Sequence, residues 1–391
     1  MSTEKPGKNR DDYKRVNRGL ALQLIATGEA TNRADLARKM GLSKMALSNI
    51  VSEMLQNHLL QEGSSENAGG EASNRTKPLA ISPEAPKIAG IQIDRSTLRA
   101  VICDLQLNVL KKEEVQYSDH LDRESLIIDI YQILDTLLYG RDDVIAIGAA
   151  SIGPVSATEG KILRPLFFYD ISDIPLRDLM EERYKLPVFL NHDNQCAVRA
   201  EKLFGNGRGY QDILLIGGGS GVGCGILCNG EPFANSRGLA PELGHISIDL
   251  NGKKCACGNR GCLEAYIRIP ELLGQMRERT GKYFSYELFC KMTDDPNVNS
   301  VFEEAADKLA GAVVSTVNLL NSELILISGQ TALWDDRYLQ QMERIINENR
   351  FVEWDSPVLV RRAYFGSAAP LVGAAAEVLA RIFSGELLFD E

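Results

Sequence analysis

Three of the chain's eight cysteines, Cys255, Cys257 and Cys262, fall within one eight-residue stretch. Disulfides are seldom spaced this way, whereas a C-x-C pair separated by four residues from a third thiol suits a metal. Gly258 and Gly261 let the backbone fold tightly around one ion. A reduced cluster without metal is the bland alternative. The other five, Cys103, Cys196, Cys224, Cys228 and Cys290, stand in apolar contexts and are expected to pack in cores. A second candidate is the run Gly219-Ser220-Gly221-Val222-Gly223-Cys224-Gly225. Its backbone could approach a phosphate closely, or its glycines could serve only a tight hairpin. A third lies near the amino terminus, where Ser43 precedes Lys44, Met45, Ser48 and Asn49. Asn reads adenine bidentately, and Ser and Lys serve base edges or phosphates.

The elements around this third group support that chemistry. Leu20, Leu24 and Ile25 share a face of a first helix that Gly28 ends. Thr31 and Asn32 offer caps for a short second helix, Arg33 to Met40, with Leu36, Ala37 and Met40 inward. Gly41 and Leu42 turn the chain. Ser43 then caps a helix over 44–57, whose buried stripe is Leu47, Ile50, Val51 and Leu55. A short helix, a Gly turn and a longer Ser-capped helix describe a helix-turn-helix, whose last helix offers its first residues to the major groove. Leu59 and Leu60 begin a strand, a polar Gly-containing tip follows, and a strand returns near Pro78 to Ser82, which makes a wing. Arg33, Ser43, Lys44, Met45, Ser48 and Asn49, with Arg75 and Lys77 near the wing tip, are the candidate DNA contacts. The alternative is a trihelical partner-binding module with a linker.

At 391 residues the chain holds two or three cores. The spans are expected to be a winged helix-turn-helix over 1–82 and an effector-binding body over 83–391. Residues 1–80 hold 12 Lys and Arg against 9 Asp and Glu, a net of +3, and the remainder 31 against 44, a net of −13. A mildly basic head on an acidic body lets the head approach phosphates while the body repels them. With no apolar run of membrane-crossing length and a polar start lacking a secretion signal, the chain is expected in the cytoplasm, away from any membrane.

After Ala85 the pattern changes to strands, KIAGIQID, TLRAVICDL and LNVLKKEEVQYS, then a helix over 123–139 and the apolar strand VIAIGAAS. Later segments repeat this arrangement, implying two βββαβα-type halves. The fold class is therefore α/β, an actin-like, ribonuclease H-like body of two lobes behind a winged helix-turn-helix. Ligands of such bodies bind in the interlobe cleft. PELGHISIDLNGKKCACGNRGCLEAY resembles the signature of the ROK family of repressors and sugar kinases. With HDNQCAVRAE, the Gly turn and the head, the resemblance covers essentially the whole chain in the family's order.

That resemblance supplies His245 as fourth ligand beside Cys255, Cys257 and Cys262, a Cys3His set for closed, structural Zn2+. It also implies a sugar pocket of Asp193, Glu242, His245 and Glu264, with Asp193 as base in the kinases. Sugar hydroxyls need carboxylate acceptors, and Glu242 and His245, three apart, face the same way if locally helical. Asn191, His192 and Asn194 surround Asp193 and are expected to add donors, Asn191 and His192 as further sugar-binding residues. His192 replaces the kinases' Asn, a departure that resembles the repressor branch.

Phosphoryl transfer also needs a phosphate cradle. The kinases' first hairpin resembles D-x-G-G-T, whereas Gln92-Ile93-Asp94-Arg95-Ser96 stands here, with Asp94 placed to repel phosphate. Asp193 is then a vestigial base and no enzyme activity is expected. The resemblance implies a sugar-responsive repressor of carbohydrate uptake or catabolism genes. Its expected partners are a double-stranded operator, a sugar or sugar-phosphate inducer, and further copies in a homodimer or tetramer. An ATP-dependent hexose kinase, or a regulator answering to a phosphotransferase protein, are the other readings.

Overall fold

The computed structural model describes residues 10–63, 77–118, 120–233, 235–352 and 356–389. The head is three helices, α1 (Arg10–Ala26), α2 (Arg33–Met40) and α3 (Lys44–Gln56), and a hairpin of β1 (Leu60–Glu62) and β2 (Leu79–Ile81), with Leu60 opposite Ile81. The caps act as expected: Asn32 accepts the Asp35 N–H, Ser43 accepts the Ala46 N–H, and Gly41 turns the chain at φ 65°.

The first lobe contains β3 (Lys87–Ile93), β4 (Thr97–Cys103), β5 (Val109–Gln116), α4 (Arg123–Leu138), β6 (Val144–Ser151), the short pair β7 (Val155–Ser156) and β8 (Lys161–Ile162), α5 (Leu176–Tyr184) and β9 (Val188–His192). Helix α6 (Asp193–Phe204) leads to the second lobe. There follow β10 (Ile213–Gly218), β11 (Val222–Cys228), β12 (Glu231–Pro232), a 3-10 turn at Leu243–His245, α7 (Glu264–Ile267), α8 (Ile269–Thr280), α9 (Tyr286–Phe289) and α10 (Pro296–Leu320). Then come β13 (Leu324–Gly329), α11 (Asp336–Asn349), β14 (Leu359–Arg362) and α12 (Ala369–Phe383). The two five-stranded sheets run β5-β4-β3-β6-β9 and β12-β11-β10-β13-β14. In each, three antiparallel strands are followed by two parallel ones, so the halves repeat one connectivity.

Helix α12 is last in the chain yet packs on the first sheet. A Cβ at Gly148 of β6 would lie 1.7 Å from the Ala374 carbonyl oxygen, and one at Gly90 of β3 2.9 Å from Ala375 N. Only glycine allows that approach. The stretch Gly366–Phe383 is apolar and long enough to cross a membrane, which the sequence reading missed, but 67% of it is buried inside the fold.

The far end of α12 holds the head. Gly19 of α1 fits against the backbone of Phe383, and Leu36, Leu47, Val51 and Met54 share one core with Ile88, Leu379, Ile382 and Phe383. Leu22 is fully buried in this core, whereas Leu20, expected inward, is 37% exposed. The reason is that α1 buries a face against the body as well as against the head. Met54, rather than Ile50 or Leu55, completes the buried stripe of α3.

Gly148→Val forces a side chain into the α12 backbone and is expected to cost about 3 kcal/mol or more, read by denaturant unfolding. Unchanged stability would mean that α12 does not lie on β6 as described.

Candidate functional site

A cleft of about 680 Å3 separates the lobes, lined by Asp193, Glu242, His245 and Glu264 together with the β3–β4 hairpin and the turn at 219–221. Asp193 is the first residue of α6, where the helix dipole favours a carboxylate. Its Oδ1 takes the Asn194 backbone N–H at 2.6 Å and the Asn194 side-chain amide at 2.7 Å, and His192 Nδ1 stands 3.0 Å away. The Asn194 backbone N–H also donates to His192 Nδ1 at 3.2 Å, so the two Asn194 donors hold Oδ1, and Oδ2 has no partner among the described residues. Enclosure pushes the Asp193 carboxyl above its ordinary pKa, against the pull of His192.

His192 is 4% exposed, and its ring fits against Gly153, where a Cβ would come within 2.5 Å of Cδ2. Glu242 Oε1 lies 3.2 Å from that same point, which brings imidazole and carboxylate to one wall. The 3-10 turn after Glu242 places His245 on the same side, as the three-residue spacing suggested. Glu264, 5% exposed, accepts the Val222 N–H at 2.9 Å and so ties the glycine turn to α7. Asn191 departs from this group. It is absent from the cleft wall, and its amide donates toward Glu377 of α12 at 3.4 Å.

The glycine run has a use that spacing did not reveal. Cβ atoms at Gly217, Gly223 and Gly225 would lie 1.9, 2.6 and 2.0 Å from Asn194 atoms. Three of these glycines therefore make room for the residue that clamps Asp193, while Gly219 to Gly221 form the turn itself. Asn194 was expected only as a donor beside Asp193, and nothing in the spacing tied it to the glycines.

His245, Cys255, Cys257 and Cys262 offer ligand atoms all within 4.8 Å of one another. Cys255 Sγ lies 3.8 Å from His245 Nδ1, and Cys257 Sγ 3.6 Å from Cys262 Sγ. A tetrahedral ion with bonds of about 2.3 Å needs ligand separations of about 3.8 Å, so the four could hold a metal ion with Nδ1 as the imidazole donor. Gly258 and Gly261 have φ of +96° and +69°, and a Cβ at Gly261 would strike the Asp249 carbonyl at 1.7 Å. Outside the cluster, Cys103, Cys196 and Cys224 are buried and Cys228 and Cys290 partly so. Burial pushes the Cys103 and Cys224 thiols up to about 12, which leaves them inert.

On the head, Lys44, Met45, Ser48 and Asn49 are exposed along the start of α3, Met45 by 78%. The Ser43 hydroxyl is engaged as the helix cap, at 3.2 Å from Ala46 N. Arg33 and Lys77 are not free cations: both pair with Glu62 of β1, at 2.5 and 2.9 Å, and brace the base of the hairpin. Lys77 first and then Arg33 hold the Glu62 carboxyl below its ordinary pKa. Arg75 lies outside the described residues.

The model of the ROK family matches residues 88–381. The chain belongs to the ROK family. The xylose repressor of Caldicellulosiruptor bescii is 22% identical over 392 residues, covering 95% of this chain and 97% of its own. A ROK family transcriptional regulator, a homologue of the E. coli MLC protein, superposes with a TM-score of 0.80 at 25% identity, over 96% of this chain and 98% of its own. A ROK family glucokinase from Streptomyces griseus, solved with glucose and AMPPNP, superposes with a TM-score of 0.67 at 24% identity. It covers 74% of this chain and 98% of its own, so the ROK body is the actin-like sugar-kinase fold. Helices α1 to α3 and the hairpin precede the ROK match.

Gly261→Ala keeps all four metal donors but strains their loop, and it is expected to weaken metal retention about 10–100-fold in a chelator competition. Retention equal to the unaltered chain would remove this glycine from the account of the metal loop.

Proposed function

We propose that this chain is a DNA-binding transcriptional repressor released by a sugar, acting in the cytoplasm on genes of carbohydrate uptake or catabolism. The observation that carries the reading is one continuous core joining the buried side of α3 to α12, whose first turn reaches the cleft wall at Pro370. Correspondence along nearly the whole length with a xylose repressor and a ROK transcriptional regulator supports it.

Residues 1–82 are the DNA-binding unit and 83–391 the effector-binding unit. Lys44, Met45, Ser48 and Asn49 read the major groove, while Arg33 and Lys77 set the wing through Glu62. Asp193, Glu242, His245 and Glu264 receive sugar hydroxyls. His245, Cys255, Cys257 and Cys262 hold a structural Zn2+, which has no open coordination position and supplies rigidity rather than chemistry. Two copies, or four, engage a pseudo-palindromic operator. Sugar closes the lobes, and α12 carries the change to α1. By linkage, bound DNA must then lower the affinity for sugar by the same factor.

Sugar phosphorylation is the second reading, favoured by Asp193 with its free Oδ2 in the cleft. Against it, Asp94 and Arg95 stand where a phosphate cradle needs glycine. No ATP turnover is expected.

The test is fluorescence anisotropy on operator DNA selected by the chain from a random pool, with and without sugars. Asn49→Ala is expected to weaken operator binding by about 1–3 kcal/mol and leave sugar affinity unchanged. Glu242→Ala is expected to bind operator normally and to lose release by sugar. ATP consumption abolished by Asp193→Asn would put the kinase reading first.

A further inference from the structure

The cleft has a second polar end that the sugar-facing carboxylates do not use. There Gln92 of β3 stands opposite Arg99 of β4, so their side chains share one face of the sheet. Both residues line the cleft. Gln92 is 3% exposed, and its Oε1 has no hydrogen-bond partner among the described residues. The Arg99 Nε is enclosed and likewise unpartnered. A buried polar atom left unpaired is costly, and such groups in folded proteins are normally satisfied. Two of them, adjacent and facing a cavity, point to a ligand that completes them.

The surrounding charges indicate its sign. Arg95, at the tip of the same hairpin, reaches over the cleft to donate to Ser220 Oγ at 3.3 Å and to the Leu166 carbonyl at 3.2 Å. Arg164, two residues before Leu166, lines the same cavity. Two acids share this end, Asp94 and Glu114, the latter directly opposite Arg99 on β5. Asp94 accepts the backbone N–H of Arg95 at 2.7 Å, and Glu114 takes the Lys112 ammonium at 3.0 Å. Arg99 beside the enclosed amide, with Arg95 and Arg164 on the walls of the same cavity, can receive an anion, since guanidinium binds phosphate oxygens bidentately and the Gln amide can flip to present its NH2.

We propose that Gln92, Arg95 and Arg99 form an anion subsite for the phosphate of a phosphorylated monosaccharide whose hydroxyls rest on Asp193, Glu242 and His245. This rests on the reading of the cleft as a sugar site and selects the phosphate ester over the free sugar. Side chains that keep a nucleotide's phosphate chain off the hairpin backbone here become the recognition groups. One phosphate monoester, with a charge of about −1.5 to −2, suits them.

The experiment is calorimetric titration of the full, metal-loaded chain with glucose, mannose, N-acetylglucosamine, the 6-phosphate of each, and inorganic phosphate. It is repeated on Arg99→Gln and Arg95→Ser, with melting curves to verify folding. Arg99 Nε has no partner to lose, so Arg99→Gln should fold. A 6-phosphate is expected to bind about tenfold or more tighter than its free sugar, an advantage that Arg99→Gln abolishes while free-sugar binding stays unchanged. Equal binding of ester and sugar, or an ester advantage indifferent to Arg99→Gln, overturns the subsite and leaves the sugar sensor standing. Binding of inorganic phosphate that depends on Arg99, with no response to any sugar or ester, keeps the subsite and overturns the sugar reading. No binding by any probe overturns both.

Discussion

The crossing of α6 and α12 governs the geometry of the whole body. A Cβ at Gly373 would lie 2.4 Å from the Cys196 backbone, so the two helices touch backbone to backbone. Gly148 lets the same helix lie equally close on β6. The neighbouring ion pair Arg199–Glu377, at 2.8 Å with the carboxylate side chain only 5% exposed, fixes the register of the crossing. Desolvating such a pair is costly, and removing one partner would leave a buried charge uncompensated. Asn191 belongs to this pair rather than to the ligand.

From that crossing the two helices run to the two places where function is proposed. Helix α6 begins at Asp193, so its packing aims the carboxylate into the cleft. Helix α12 ends where Gly19 of α1 meets Phe383, and Arg208 and Gln106 add hydrogen bonds to the carbonyls of Thr27 and Ala26 at 2.7 and 3.3 Å. A movement of one lobe that turns α12 must also move the head, because close-packed helices have discrete arrangements rather than a soft continuum.

Much of this was legible in the residues. The head could be read because helix caps, a glycine turn and apolar spacing are local properties, and α2 and the start of α3 fall where Asn32, Gly41 and Ser43 place them. The repeat of strands in the body was legible for the same reason, since two sheets of one connectivity leave the same pattern twice. The thiol cluster was legible from spacing alone. His245 was not, because its link to the cysteines is a fold of the loop rather than a sequence interval.

What escaped the sequence is what depends on distant segments meeting. Leu20 looked buried and Leu22 did not, because nothing in α1 announces that a helix near the other terminus will cover it. Asn191 looked like a sugar ligand until α12 supplied Glu377 as its partner. Nothing in the spacing of the second-lobe glycines announced that Gly223 and Gly225 make room for Asn194. Composition and periodicity determined the kinds of element, their order and the chemistry available, since each depends on neighbours a few residues away. Only the tertiary structure decided which polar atoms are paired, which carboxylate oxygen is free and which arginines face one cavity, because hydrogen bonds and burial are properties of juxtaposition in space.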